Sequence, residues 1–434
     1  MRIDTIEIRN FKGFADEIFH LNPRFTVFIG DNAQGKTSVL DALAVAVGSF
    51  FIGIEGVSSR TIADNEIRVV TIDGQPKPQK PVHIKATWNI NERDLKIWTF
   101  GVKTSSLERK RGIETQKTTH KEARQIISFA ENLLHNSRLA SGTIFPVIAY
   151  QGTGRLWALH EKVSYQAQEE GVIMAYTNAL SAKASPKEFL SWFKTQEDSI
   201  RKFEQPLDIA HLKAFKKVIT DIIPDKKWQD VAFDNKTNEL TGIFTSEGGK
   251  KEKLKFSQLS DGFRNIVALA ADIAYRCIQL NPHLGEKVIE ESPGVVLIDE
   301  LDLHLHPNWQ RRIVEDLKKT FPKIQFVATT HSPFIVQSLG ADELINLDAI
   351  SEVSPKELSI DVISQEIMGV ESNYGIENTN EENETQGYLS LLLEAEKSAN
   401  PTNYLKKLET IENNVSDPSL RAFLKMNRIS KNIL

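Results

Sequence analysis

The chain has almost no cysteine and no long hydrophobic run, and both absences narrow its class. Cys277 is the only cysteine among 434 residues, which excludes an internal disulfide framework and favours a reducing cytoplasm. It sits in the apolar run 266–278, so we interpret it as a buried structural thiol rather than a nucleophile. No apolar stretch approaches the roughly 20 residues of a membrane-spanning helix. We therefore expect a soluble cytoplasmic protein with no membrane partner.

The chain also has no excess of positive charge. The formal net charge is −5, so the chain as a whole is not attracted to nucleic acid, and any DNA contact would need a local basic patch. One candidate is the segment 102–120, which contains Lys103, Arg109, Lys110, Arg111 and Lys117. We interpret this segment as a solvated loop in preference to a DNA contact.

A glycine-containing turn near the N-terminus has the pattern of a phosphate-binding loop. Residues 30–37 read GDNAQGKT, between a strand-like run at 25–29 and a helical pattern at 38–47. Glycines let backbone N–H groups turn towards phosphates, and the helix N-terminus adds a favourable dipole. Lys36 would hold the β- and γ-phosphates of ATP, and the Thr37 hydroxyl would bind Mg²⁺. The predicted nucleotide-binding residues here are Gly30, Asn32, Gly35, Lys36, Thr37 and Ser38.

A second apolar strand, residues 294–298, ends in two acids, Asp299 and Glu300. Such a strand would place Asp299 beside the phosphate loop, where a carboxylate can hold Mg²⁺. Glu300 would then be the general base that polarises the attacking water. An apolar strand ending in acids is common by itself, and it is the phosphate loop that makes the catalytic interpretation the stronger one.

The segment 256–264, FSQLSDGFR, precedes a long apolar helix. It resembles the LSGGQ signature of ABC ATPases, with Asp261 at the first glycine position and Phe263 in place of glutamine. In that family, the motif contacts a γ-phosphate that the opposite subunit holds. The resemblance implies that Ser260, Asp261 and Gly262 complete the nucleotide site of a second copy, in a homodimer or higher homo-oligomer. Taken alone, the motif would be read as an ordinary serine cap of a helix.

Two further strand ends resemble ABC elements. His331 follows the strand-like run 324–329 and resembles the switch histidine that contacts the γ-phosphate, so we assign it a catalytic role. Gln151 follows the apolar run 145–150 and resembles the Q-loop glutamine, which implies contacts with Mg²⁺ and nucleotide. Tyr150 or the glycine-rich turn after it could fill the same role.

The remaining nucleotide-contacting candidates lie in turns. Asp302 resembles the D-loop acid that runs along the ABC dimer interface. Asn10 and Lys12, in the segment Arg9–Lys12, resemble the basic turn of RecF-like and SMC-like heads that touches nucleotide. A solvated hairpin turn is an equally good interpretation of that segment.

The order of these motifs over residues 1–350 resembles the SMC- and RecF-like branch of ABC ATPases. The fold class it implies is an α/β head, with a mixed β-sheet around a P-loop core, a helical insertion lobe and C-terminal helices. The predicted domains are 1–156 (N-terminal half of the head), 157–230 (helical insertion lobe), 231–350 (C-terminal half of the head) and 351–434 (linker and helical extension).

At a finer level, the segments 149–157, 259–262 and 299–307 resemble the PtuA ATPases of Septu and certain retron anti-phage systems. That family works with an HNH nuclease partner, which implies an ATPase subunit whose nucleotide state regulates the nuclease. The residues after 347 are few for a nuclease domain and lack the acidic constellation of TOPRIM.

Two alternatives remain open. The first is a RecF- or SMC-like DNA repair ATPase, which would need a basic groove across the dimer. The second is an ATP-gated scaffold that binds nucleotide tightly and barely hydrolyses it. DNA or RNA therefore remains a candidate partner.

Overall fold

The chain divides into two units, Met1–Ile363 and Ser364–Leu434. The computed structural model describes residues 1–89, 104–111, 118–119, 121–139, 142–155, 171–181, 187–223, 228–237, 239–246, 248–348, 354–370, 387–395, 402–415 and 418–431. Within these ranges, no helix combines the length and the apolar character needed to cross a lipid bilayer.

The strands of the described residues all lie in the first unit. In chain order they are β1 (Arg2–Phe11), β2 (Phe14–His20), β3 (Phe25–Ile29), β4 (Val69–Ile72), β5 (Gln75–Pro78), β6 (Val82–Asn89), β7 (Thr104–Arg111), β8 (Val147–Gln151), β9 (Trp228–Asp234), β10 (Glu239–Thr245), β11 (Lys251–Lys255), β12 (Gly294–Ile298), β13 (Ile324–Thr329) and β14 (Leu344–Asn346).

The α-helices are found in both units. They are α1 (Lys36–Phe51), α2 (Arg124–Leu139), α3 (Val172–Tyr176), α4 (Lys187–Phe203), α5 (Pro206–Ile222), α6 (Asp261–Leu280), α7 (Val288–Glu291), α8 (Pro307–Gln310), α9 (Ile313–Thr320), α10 (Pro333–Val336), α11 (Ile360–Val362), α12 (residues 387–395), α13 (Thr402–Asn414) and α14 (Pro418–Ser430).

A five-stranded parallel sheet with the order β14-β3-β13-β12-β8 forms the core of the first unit. Every residue of β3, β8, β12 and β13 is buried. Parallel strands covered on both faces are expected to read as continuous apolar runs, which is how the sequence analysis identified them. Because the strands are parallel, their carboxyl ends all meet at one edge of the sheet, and the predicted nucleotide motifs follow directly from those ends.

Two antiparallel sheets accompany this core. One has the order β2-β1-β6-β7 and the other the order β11-β10-β9, so the described chain contains both parallel and antiparallel strands. β4 and β5 form a separate two-stranded hairpin. The three-stranded sheet β11-β10-β9 leads through β11 directly into the segment at 256–264 and helix α6. The predicted α/β fold class, with parallel and antiparallel strands and a P-loop core, is confirmed.

The interpretation of residues 102–120 as a solvated loop is wrong for the part that the structure describes. Residues Thr104–Arg111 form β7, which pairs with β6 along its whole length. Arg109 is fully buried, and its Nη1 donates to the Ser49 hydroxyl at 3.0 Å. Burial lowers the pKa of Arg109 to about 10. Residues 102, 103, 112–117 and 120 of this segment lie outside the described ranges.

The region predicted as a helical lobe contains helices wherever it is described before residue 223, namely α3, α4 and α5. Aromatic side chains join α4 to its neighbours. The Trp192 ring lies 5.0 Å from Phe215 on α5 and 5.9 Å from Tyr275 on α6, measured between ring centroids. Strand structure resumes at Trp228, three residues before the start expected from the sequence.

The second unit is a small helical bundle of α12, α13 and α14. Its core contains Tyr388, Leu392, Ala395, Leu408, Val415 and Leu424. Within the predicted helical extension, α13 ends at Asn414 and α14 begins at Pro418. Proline at the first position of a helix is favourable, whereas inside a helix it removes a hydrogen bond and clashes with the preceding turn. Residues 371–386 of the predicted linker and helical extension lie outside the described residues.

Candidate active site at the carboxyl edge of the parallel sheet

The turn between β3 and α1 is a closed loop around the Lys36 side chain. Lys36 Nζ donates to the carbonyl oxygens of Gly30 at 2.6 Å and Asp31 at 2.9 Å. Burial lowers the pKa of Lys36, although the nearby carboxylates of Asp348 and Asp31 oppose this effect. A cation held across a loop of backbone N–H groups at a helix N-terminus is suited to polyphosphate. Asn32 in the same loop is exposed, and Ser38 is half-buried on the first turn of α1.

Thr37 and Asp299 meet beside this loop, as the sequence analysis predicted. Thr37 Oγ1 donates to the two carboxylate oxygens of Asp299 at 3.1 and 3.2 Å. Thr329, at the end of β13, donates to Asp299 Oδ1 at 2.7 Å and thereby fixes the carboxylate from the other side. A hydroxyl and a carboxylate are hard oxygen ligands of the kind that Mg²⁺ uses together with substrate phosphates. Thr37 and Asp299 thus fit a Mg²⁺ ion whose other ligands come from phosphate.

Glu300 follows Asp299 with a backbone φ of 49°, in the left-handed region that non-glycine residues rarely adopt. Its backbone N–H donates to the Thr329 hydroxyl at 2.8 Å, and the Leu301 N–H donates to the Thr329 carbonyl at 2.9 Å. Thr329 therefore orients both acids at the end of β12. A locally unfavourable backbone held by its surroundings is typical of a functional position.

The switch candidate His331 and the D-loop candidate Asp302 lie next to each other. Asp302 Oδ1 accepts hydrogen bonds from the Thr330 hydroxyl at 2.6 Å and from the His331 backbone N–H at 3.3 Å. The His331 side chain is exposed, so it is accessible to a ligand at this edge of the sheet. The catalytic role of His331 stays a prediction.

Gln151 has its backbone in the site and its side chain directed elsewhere. Its carbonyl accepts the Asp299 N–H at 2.9 Å, so the backbone lies beside the metal candidate. Its Nε2 donates to Asp272 Oδ2 on α6 at 2.5 Å, and Arg276 Nε donates to the same oxygen at 2.9 Å. A role of Gln151 as a Mg²⁺ ligand stays a prediction, and it would require the carboxamide to leave Asp272.

The basic turn at residues 9–12 is connected to α1. The Lys12 ammonium pairs with Asp41 and lies 3.7 Å from Glu66. Arg60 contacts the same two acids, at 2.9 and 2.6 Å. Asn10 Nδ2 donates to the Pro81 carbonyl at 3.0 Å. Asp41 is one helical turn beyond Thr37, so Lys12 and Arg60 lie along the same helix as the metal candidate.

The signature-like segment forms the N-terminus of α6. Ser260 is the exposed N-cap residue, and its side chain makes no capping hydrogen bond. The neighbouring Asp261 is exposed and pairs with Arg264. Gly262 is required by a close approach, because a Cβ there would lie 2.5 Å from the His304 carbonyl oxygen. The segment therefore leaves the Ser260 hydroxyl and the start of a long helix open to a ligand from outside.

Four residues at this edge carried no recognisable sequence signal. They are Arg60, Thr329, Asp348 and Gln310. Asp348 follows β14, and its Oδ2 accepts the Asp31 N–H at 2.6 Å. This bond joins the phosphate loop to the segment that follows β14. Each of these residues acts through a contact between segments that are distant in sequence, and such contacts have no local pattern.

Replacing Gly35 by alanine is expected to impair nucleotide binding. Gly35 has a φ of 101°, and a Cβ there would lie 2.7 Å from the Phe14 ring. Strain of about 1–3 kcal/mol would distort the loop. Each ~1.4 kcal/mol corresponds to about a tenfold loss of affinity for a fluorescent ATP analogue. Gly13→Ala is the control, because no atom lies within 4 Å of a Cβ at Gly13. Equal affinities of the two variants would argue against phosphate binding at this loop.

A phosphate loop, a strand ending in Asp299 and Glu300, and a signature-type helix surround one sheet edge in the order typical of ABC-type heads. Together with matches to two ATPase family models, these features identify the chain as an ATPase. The family model described as "AAA ATPase domain" matches residues 1–137. The model described as "AAA domain, putative AbiEii toxin, Type IV TA system" matches residues 154–337.

Two curated relatives are similar over most of this chain, and a third is similar over a shorter part. The retron Vc95 probable ATPase of Vibrio cholerae serotype O1 biovar El Tor is 25% identical over 394 residues, covering 79% of this chain and 73% of that protein. The retron Ec83 probable ATPase of Escherichia coli is 27% identical over 403 residues, covering 79% and 71%. The Septu protein PtuA of Bacillus thuringiensis is 32% identical over 183 residues, covering 38% and 42%.

Proposed function

We propose that two copies of this chain close two ATP sites between them, and that each site combines the phosphate loop of one copy with the Ser260 end of the other. The observation that carries this proposal is the geometry of α6. Its N-terminus is exposed, and its Ser260 hydroxyl caps no backbone group of its own helix. Gly262 lets the backbone of this turn pack closely against the His304 carbonyl. A helix N-terminus presented in this way favours a phosphate supplied by another copy.

Within one site, Lys36 holds the β- and γ-phosphates, and Thr37 and Asp299 would hold Mg²⁺. When bound, Mg²⁺ neutralises charge on the phosphates and orients them. Glu300 accepts the proton of the attacking water, and His331 lies on the adjacent strand end to contact the γ-phosphate. Thr329 positions Asp299 and Glu300 together, because it bonds to both residues.

Mixing two inactive variants tests the pairing. Lys36→Ala disables the phosphate loop and Ser260→Arg blocks the signature end. We expect each variant alone to lack ATP turnover, because every site then contains a defective half. A mixed dimer contains one site built from two intact halves, so random mixing should restore about a quarter of the wild-type rate. Two folded variants that show no recovery of ATP turnover on mixing would contradict a site shared between copies.

We further propose that this ATPase belongs to a bacterial anti-phage defence complex, in which its nucleotide state regulates an HNH nuclease. The support is the similarity to proteins named as retron ATPases and as Septu PtuA. The ATP-dependent closing of two copies would change the surface presented to the nuclease, and nucleotide-driven population shifts are a common means of such control.

The test is to co-express the chain with an HNH nuclease encoded beside it and to measure complex formation, DNA cleavage and phage plating. We expect cleavage to differ between the ATP-bound and ADP-bound complexes, and we expect Lys36→Ala to abolish protection against phage. A nuclease activity that is the same with and without the chain would exclude this regulation. Turnover that DNA stimulates in the chain alone would favour the DNA repair alternative.

A further inference from the structure

The signature end of α6 is attached to the loop that follows Glu300. Gly262 packs on the His304 carbonyl, and Asn265 Nδ2 donates to the Leu303 carbonyl at 2.6 Å. Phe263, which stands where ABC signatures have glutamine, places its ring 4.2 Å from the Trp309 ring at an interplanar angle of 76°. Edge-to-face aromatic pairs of this kind stabilise a fixed orientation. The signature end and the segment 303–309 therefore form one packed assembly.

Gln310 connects this assembly to the switch loop that contains His331. Gln310 Nε2 donates to the Leu305 carbonyl at 2.8 Å, and Gln310 Oε1 accepts the Ser332 hydroxyl at 2.6 Å. Ser332 is 5% exposed and its hydroxyl oxygen also caps α10, by accepting the Phe334 N–H at 3.1 Å. The amide nitrogen of Gln310 thus bonds to the segment 303–309, and its amide oxygen bonds to the loop that contains His331.

We propose that Gln310 is a positioning residue that couples the two ATP sites of the dimer. This inference rests on the proposed function, since it requires that Ser260 serves the site of the partner. Within one copy, His331 contacts the nucleotide bound to that copy, whereas Ser260 contacts the nucleotide bound to the other. Gln310 lies between the two, so a movement of the switch loop on ATP binding is transmitted through residues 303–309 to the signature end. ATP in one site then favours closure of the other site.

This coupling has a direct consequence in cooperativity. Two sites that close together give a Hill coefficient approaching about two, whereas two uncoupled sites give about one. Gln310→Ala removes these two hydrogen bonds and a longer one, at 3.5 Å, that Gln310 Nε2 donates to the Asp302 carbonyl. Gln310→Glu keeps an acceptor for the Ser332 hydroxyl but cannot donate to the Leu305 carbonyl, so it breaks one half of the bridge at nearly constant volume. Neither change touches Lys36, Thr37 or Asp299.

The experiment measures three quantities on the full chain. These are the affinity of dilute protein for a fluorescent ATP analogue, ATP-driven dimerisation by sedimentation, and the dependence of turnover on ATP concentration. We expect both Gln310 variants to keep the nucleotide affinity of the dilute protein within about twofold, to dimerise about tenfold more weakly with ATP, and to show a Hill coefficient near one. Gln337→Ala is the control, because Gln337 Nε2 donates to the Leu358 carbonyl at 3.0 Å, outside the bridge.

The outcomes separate this inference from the proposed function. A wild-type chain that does not dimerise with ATP contradicts the proposed function itself, before any variant is considered. Cooperative wild-type turnover together with equally cooperative Gln310→Ala overturns the coupling role alone. If Gln310→Ala loses nucleotide binding through misfolding, Gln310→Glu decides the question: cooperativity equal to that of Gln337→Ala overturns the inference, and its loss supports the inference.

Discussion

Glu300→Gln is expected to lower ATP turnover by about 10²–10⁴-fold while leaving ATP-driven pairing of two copies intact, because general-base catalysis typically contributes that factor. The glutamine side chain has nearly the volume of glutamate but cannot accept the proton of the attacking water. The backbone of Glu300 is held by Thr329, since its N–H donates to the Thr329 hydroxyl at 2.8 Å. The substitution should therefore leave the end of β12 in place.

The measurement is native mass spectrometry of the purified protein, with ATP turnover recorded on the same sample. ATP retained in a stable dimer of Glu300→Gln, together with rapid turnover of the wild type, is the expected pair of results. Glu315→Gln serves as the control for the loss of an acid, because Glu315 lies on α9, is 61% exposed and pairs with Lys318. Wild-type protein that retains ATP in a constitutive assembly with negligible turnover would instead support the ATP-gated scaffold.

Glu412→Ala is expected to unfold the helical unit Ser364–Leu434. Arg428 Nε donates to Glu412 Oε1 at 2.6 Å and the Tyr388 hydroxyl donates to the same oxygen at 2.7 Å, with both charged side chains under 8% exposed. Removing one partner of a buried ion pair costs about 3–5 kcal/mol, because the other charge is left buried without compensation. A unit of this size has a small core, so this loss is comparable to its whole stability.

Hydrogen exchange of α13 and α14 would report the unfolding of this unit separately from the ATPase head. Glu409→Ala is the matched control, because Glu409 is on the same helix, 48% exposed, and 3.9 Å from Arg428. Surface pairs of this kind contribute about 1 kcal/mol or less. Equal protection of the two variants would show that the interior pair does not stabilise the unit.

The same ion pair gives this unit a defined pH dependence. Burial opposes the charge of Glu412, but the hydrogen bonds from Arg428 and Tyr388 outweigh it and the pKa of Glu412 lies below its ordinary value. The folded state then binds fewer protons than the unfolded chain, so stability rises with pH in this range. The contribution of Glu412 should be complete above the ordinary glutamate pKa and lost as the pH falls through the lowered value.

The sequence predicted those parts of the molecule that are local in the chain. The phosphate loop and the strand before Asp299 were identified because parallel, fully buried strands leave continuous apolar runs, and because the functional groups follow immediately after them. Thr37 and Asp299 are far apart in sequence, yet they were correctly placed together, since both follow strands whose carboxyl ends share one edge.

The rest could not be predicted because it depends on contacts that no local pattern encodes. Thr329 reads as the last residue of an apolar strand, and its role in holding Asp299 and Glu300 is visible only when β12 and β13 are adjacent. Arg109 was predicted to be solvated, and the structure shows it buried. Its basic neighbours favoured a solvated loop, but pairing of β7 with β6 turns this one side chain inwards, towards Ser49.

The hydrogen bond between Asp348 and the Asp31 N–H gives the phosphate loop a second attachment, to the segment that leads towards the C-terminal unit. Any nucleotide whose binding reshapes the loop must also alter the free energy of that attachment. Linkage makes the effect reciprocal: a ligand that displaces residue 348 changes the affinity for nucleotide by the same factor as nucleotide changes the affinity for that ligand. A ligand that binds the segment around residue 348 can thus change the affinity of this chain for ATP through linkage alone.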